Sequence, residues 1–150
     1  MTQNTERLYG VYRTAMLAGN EEFATGSFSA AYAHFNTAMV MSRRLMLLAA
    51  AGMTDVDLSV QTLMDATENA SSARIRRGDT EGGFRCRLDC CEYLYGWSAS
   101  HMVDAEFRDA TCHALVAMVD SADKLRECLQ VPEDDIVDIR SRIASISGAA

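Results

Sequence analysis

Five cysteines, three histidines and a knot of arginines are the residues of this 150-residue chain whose types could do chemistry. Cys86 and Cys90 stand one helical turn apart, so both thiolates could face one soft metal ion, with Cys112 and His113 from a later segment completing the set. The competing reading is that these cysteines pack as small apolar residues, because structural zinc ligands are usually paired more tightly. A redox-active thiol is a third option at Cys86, since Arg85 and Arg87 would favour its thiolate. Glu106, Asp109 and His113 share a helical face, yet the Glu-x-x-His pair that a di-iron bundle places on each of two helices does not occur. No Gly-rich phosphate loop, nucleophile elbow or His-Glu-x-x-His is present, so no catalytic residue and no cofactor is assigned. Arg74, Arg76, Arg77, Arg85 and Arg87 surround Gly78. Guanidinium groups pair with carboxylates in planar, two-pronged fashion, which would suit an acidic peptide or a C-terminal carboxylate; a solvated helix end with local ion pairs is the plainer alternative.

The elements that must position these groups read as helices. A single proline, nine methionines and 7% aromatic residues suit long helices better than strands and tight turns, so an all-α fold is expected. Apolar residues recur at three- and four-residue spacing from Glu6 to about Thr25, through Leu8, Val11, Tyr12, Ala15, Met16, Gly19 and Phe23. Gly26 ends that helix, and Ser27 opens a second from Phe28 to Ala51 with Phe28, Ala31, Phe35, Ala38, Met39 and Ser42 inward. Beyond Arg44 every residue to Ala51 is apolar, so this end should be covered on more than one side. A third helix is expected from Val56 to Gly78-Asp79 and a fourth after Thr80. Trp97–Ser100 separates that from a fifth at about His101–Gln130, and Pro132 stands in the first turn of a sixth that carries Ile136, Ile139, Ile143 and Ile146.

Composition narrows the setting. With 49% hydrophobic residues the chain can bury a substantial core and is expected to form one domain, residues 1–150. A formal net charge of −7 disfavours nucleic acid and anionic membrane as partners. The longest apolar run, Leu45 to Met53, is well below the roughly 20 residues of a bilayer span. MTQNTERLYG is polar, so no secretory signal is expected, and an odd cysteine count fits a reducing, cytoplasmic location.

Ala18-Gly19, Phe23, Gly26, Phe28, Ala31, Phe35 and Ala38 carry a small residue, a turn and then Ala-x3-Phe, a pattern that resembles the tetratricopeptide repeat (TPR). The likeness covers about a quarter of the chain and lacks the Pro that usually closes the second helix. Gly78, Gly83 and Arg87 form a degenerate second copy, with Arg87 where the aromatic should stand. The resemblance implies two TPR-like antiparallel hairpins followed by a long helix and a capping helix, similar in layout to small bacterial TPR-like proteins and in size to bacterial secretion chaperones. It implies a non-catalytic protein–protein interaction module, a scaffold, adaptor or chaperone-like protein that holds a partner's peptide segment in a concave helical groove. The TPR groove is lined by each first helix, which points to Arg13, Asn20, Asn69 and Arg74, with Arg77 beside them, as peptide-binding residues. Too few repeats would leave apolar surface open to a homodimer. The opposing reading is a metal-binding or thiol-redox protein using Cys86, Cys90, Cys112 and His113.

Overall fold

Polar side chains start the helices where the sequence offers them. A computed structural model describes residues 2–148 as α1 (Gln3–Ala24), α2 (Phe28–Ala50), α3 (Val56–Arg76), α4 (Thr80–Ser98), α5 (Ala105–Leu129) and α6 (Asp134–Gly148). No strand occurs among the described residues, and the fold is all-α. Thr2, Asp55, Asp79 and Asp104 each accept a hydrogen bond from a backbone N–H of the first turn of α1, α3, α4 and α5, satisfying a donor that the helix itself leaves unpaired. The cap at Asp104 corrects the expected start of the fifth helix. His101 to Val103 form a bend, α4 continues through Trp97 and Ser98, and α5 begins only at Ala105. Pro132 likewise lies before α6 rather than in its first turn.

Four turns share one backbone device, and Gly52, between α2 and α3, has it with φ of 71°. Gly26, Gly78 and Gln130 have φ of 82°, 93° and 56°, and they recur at an interval of 52 residues. Left-handed backbone just past a helix end lets the chain reverse at once, and glycine adopts it without a Cβ clash. The last two helices, expected as a long helix and a separate cap, therefore turn on Gln130 as the earlier pairs turn on glycine.

The pairings run in register along the stack. Ala31 clusters with Ala73 and Ala38 with Ala66, so α2 and α3 are antiparallel. The first helices lie side by side, with the Asn69 amide donating to Asn20 Oδ1 at 3.4 Å and the Ser121 hydroxyl to Glu68 at 3.4 Å. The second helices line the other face. The Arg43 guanidinium lies 4.6 Å from the Tyr93 ring centre, Arg85 pairs with Asp135, and Arg142 donates to Glu92 at 2.8 Å.

Small residues let the first hairpin close tightly. Ala31, Phe35 and Ala38 are buried, Phe35 to 1% exposure, and the Phe35 ring fills the space beside Gly19: a Cβ added there would come within 2.5 Å of it. The α1 stripe is narrower than its spacing suggests. Thr5, Tyr9, Tyr12, Ala15 and Gly19 are buried, whereas Val11 is exposed, because an end helix has neighbours on one side only.

The apolar end of α2 departs most from expectation. Leu45, Met46 and Ala49 are buried as the run requires, but Leu47 is 59% exposed, so this end is covered on one side and open on the other.

Candidate functional site

The residues expected to line a peptide groove fall into two groups. Asn20 and Asn69 meet across α1 and α3, and Arg13 stands nearby on α1, beside a shallow opening of about 290 Å³ lined also by Glu6, Tyr9, Tyr12, Leu58 and Thr62. Burial pushes the Tyr12 phenol there up to about 12, aided by the Asp65 carboxylate. Arg74 and Arg77 are turned towards α2. Both guanidinium groups stack on the Tyr32 ring, at 4.5 and 4.9 Å, and both pair with Asp79, at 3.7 and 3.6 Å. Arg76 stacks on Phe28 at 4.8 Å. These arginines tie the Gly26 and Gly78 ends of the stack together through aromatic faces and a shared carboxylate.

The cysteine constellation is dispersed into the core. Cys90 and Cys91 are buried in the largest apolar cluster, where burial pushes their thiols up to about 11 and about 12. Burial also raises the Cys86 thiol and outweighs the pull of Arg74 and Arg77; Arg87, expected to activate it, is turned to Ser71 and Ser121 instead. All three thiols are thereby held in the protonated form, which is the weaker nucleophile and metal ligand. Cys112 is half-buried on α5, and His113 is exposed, its Nδ1 2.9 Å from the Asp109 carbonyl. Among the described residues no three His, Cys, Asp or Glu side chains converge as a metal site would require, and this includes Glu106, Asp109 and His113. None of the described helices is long and apolar enough to cross a membrane.

A second opening lies elsewhere, between α2 and α4. It measures about 590 Å³, with Val40, Arg43, Arg44 and Leu47 on one wall and Tyr93, Gly96, Trp97 and Ser100 on the other. The helical period explains the α2 wall: positions 40, 43, 44 and 47 share one face over two turns, about 10 Å of helix. The partly buried Trp97 packs edge-on against Phe107 at 5.1 Å and against Tyr93 at 6.4 Å, so its indole is held in place from the core side. Burial raises the Tyr93 phenol, with Arg43 pulling the other way. At Gly96 an added Cβ would meet nothing within 4 Å, which leaves the α4 backbone open to close approach. Val40 and Leu47 are exposed, on a face that they share with Arg43 and Arg44. Most of the lining area is apolar, with the Arg43 and Arg44 side chains on the α2 wall.

Periodicity missed this groove because each helix carries only half of it. The one signal in the sequence was the surplus of apolar residues after Arg44, more than a single buried stripe can use. Comparison with protein-family models, with curated proteins and with solved structures gave no match for the chain.

Proposed function

We propose that the protein is a non-catalytic interaction module, an adaptor or chaperone-like scaffold, that holds a segment of a partner protein in the groove between α2 and α4. One observation carries the reading: the C-terminal half of α2 leaves Val40 and Leu47 uncovered, opposite a tryptophan fixed from behind, across an opening of about 590 Å³. Uncovered apolar area beside a rigid aromatic is what an amphipathic segment of another chain buries on binding. The TPR-like pattern of the first hairpin supports the same class of function. In the TPR comparison, however, the groove belongs to the first helices, where Arg13, Asn20 and Asn69 stand.

The two faces are separated by a photo-crosslinking amino acid placed in turn at Leu47, at Arg13 and at the exposed Met102, in the native cell. A discrete protein adduct is expected from position 47 and is lost when Val40→Glu is added, with the thermal unfolding curve unchanged. Adducts from position 13 alone would move the function to the first-helix face. If positions 47 and 13 give no more than the Met102 control, the interaction reading fails.

A further inference from the structure

The groove carries charge as well as apolar surface, and the molecule itself shows how that charge is completed elsewhere. Helix α4 presents a tyrosine on each flank, and each tyrosine lies under an arginine from a neighbouring second helix. On one flank Arg142 of α6 sits 5.0 Å from the Tyr95 ring centre. That guanidinium is also held by two carboxylates: Glu92 takes both of its terminal nitrogens, one at 2.8 Å, and Asp138 approaches at 2.9 Å. On the other flank Arg43 of α2 sits 4.6 Å from the Tyr93 ring centre, with Arg44 beside it on the same wall. Among the described residues no carboxylate lies within ion-pair distance of Arg43 or Arg44, and no acidic residue lines the groove. In a chain of net charge −7 that is a local reversal of sign.

We infer that the occupant of the groove is an amphipathic helix of a partner protein that buries two or three apolar side chains between Val40, Leu47 and Trp97 and sets a carboxylate on Arg43 and Arg44. The inference rests on the interaction reading above and adds the partner's shape and charge. The shape follows from the walls. α2 lines the opening from Val40 to Leu47 and α4 from Tyr93 to Trp97, and a helix laid between two such walls presents anchors at positions i, i+3 or i+4, and i+7. The length matches, because Val40 to Leu47 spans two turns. The charge follows from the flank already completed: a guanidinium stacked on a ring keeps its N–H groups at the edge free for a carboxylate, as Arg142 does with Glu92. A basic amphipathic helix would bring like charge onto Arg43 and is disfavoured.

Trp97 is the single tryptophan of the chain, so intrinsic fluorescence reads this groove directly. The full chain is titrated with a synthetic amphipathic peptide of roughly four helical turns, carrying leucines at i, i+3 and i+7 and glutamates on the flanking positions. Parallel titrations use the same peptide with glutamine or lysine in place of glutamate, and dodecanoate as a non-peptide amphiphile. A saturable blue shift is expected with the glutamate peptide, binding about tenfold weaker with glutamine, and none with lysine. In the double variant R43Q and R44Q, whose fold is checked by its unfolding curve, the glutamate and glutamine peptides should bind alike. Equal binding of the glutamate and glutamine peptides to the unaltered chain overturns the acidic partner and leaves the interaction module standing. Saturation by dodecanoate with no response to any peptide overturns the helical partner in favour of a small amphiphile. Silence from every probe overturns this inference, and the crosslinking at Leu47 then decides separately whether the interaction reading falls with it.

Discussion

Phe35 on α2 and Arg87 on α4 are separated by the same 52-residue interval as Gly26 and Gly78, and each projects from a second helix towards the preceding first helix. In the first hairpin the partner is Gly19, which has no side chain and leaves room for the ring. In the second it is Ser71, whose hydroxyl accepts from Arg87 Nε at 3.0 Å and itself donates to the Gly83 carbonyl at 2.7 Å. The Arg87 guanidinium continues to α5, where Nη1 donates to the Ser121 carbonyl at 3.3 Å and also meets its hydroxyl. That hydroxyl reaches Glu68 on α3. Burial lowers the pKa of Arg87, and the Glu68 carboxylate opposes the shift. Corresponding places in the two helix pairs are thus filled once by dispersion and area and once by hydrogen bonds joining three helices. A ring packs without directional demands, whereas a half-buried guanidinium must find acceptors, so Arg87 fixes where α5 can dock.

The largest test removes the apolar version. Phe35→Ala should destabilise the chain by about 3–5 kcal/mol, because the cavity opens between helices that cannot close on it, and urea denaturation measures the loss. A loss below about 1 kcal/mol would show that the α1–α2 hairpin relaxes freely and that the two sites are not alike.

Exchanging one version for the other is the next test. Arg87→Phe alone should cost about 1–3 kcal/mol, since Ser71, Ser121 and Glu68 lose their common partner while the serine crowds the ring. Adding Ser71→Gly recreates the Gly19–Phe35 pair in the second hairpin and should recover a measurable part of that cost in a double-mutant cycle. Strict additivity of the two changes would mean that Ser71 and Arg87 do not act as a pair.

The smallest effect concerns α6, which adds ion pairs to the packing of Ile136 and Ile139. Hydrogen bonding from Arg142 holds the Glu92 carboxyl below its ordinary pKa, and Arg126 with Arg140 does the same for Asp123. A carboxylate whose folded pKa is depressed contributes fully above its unfolded value, near pH 4, and its contribution is lost as the pH falls through the lower folded value. The protection of amide hydrogens, taken relative to the intrinsic exchange rate at each pH, should therefore fall in α6 before it does in α2 once the pH drops below about 4. A simultaneous fall in both helices would place α6 in the same cooperative unit as the core around Phe35.

How much of this was legible follows from where the information sits. Helix type and most boundaries came from local signals: apolar spacing, capping Asp or Thr, and glycine past a helix end. Boundaries slipped where the signal was not local. Trp97 and Ser98 look like linker in a sequence window, but Trp97 packs on Phe107 and Ser98 donates to Leu94, and α4 extends through them. The turn after the fifth helix fell at Gln130 as expected, but its likeness to those at Gly26 and Gly78 was obscured because Gln130, rather than glycine, takes the left-handed backbone there. The cysteines were ambiguous for a related reason, since spacing says which residues share a helix face and not what that face meets.

Local pattern was enough to show that the chain is helical, that Phe35 fills the gap beside a small residue of α1, and that α2 ends in more apolar residues than one stripe can bury. These depend on neighbours within a few turns or across one short loop, where covalent connection keeps the partners close. Long-range packing set that Arg87 points to Ser71 and Ser121 rather than to Cys86, that Arg74 and Arg77 stack on Tyr32, and that the uncovered side of α2 faces Trp97 across a groove. Each of those contacts joins segments distant along the chain, and the angle at which helices stack, set by the summed fit of many side chains, fixes them all at once.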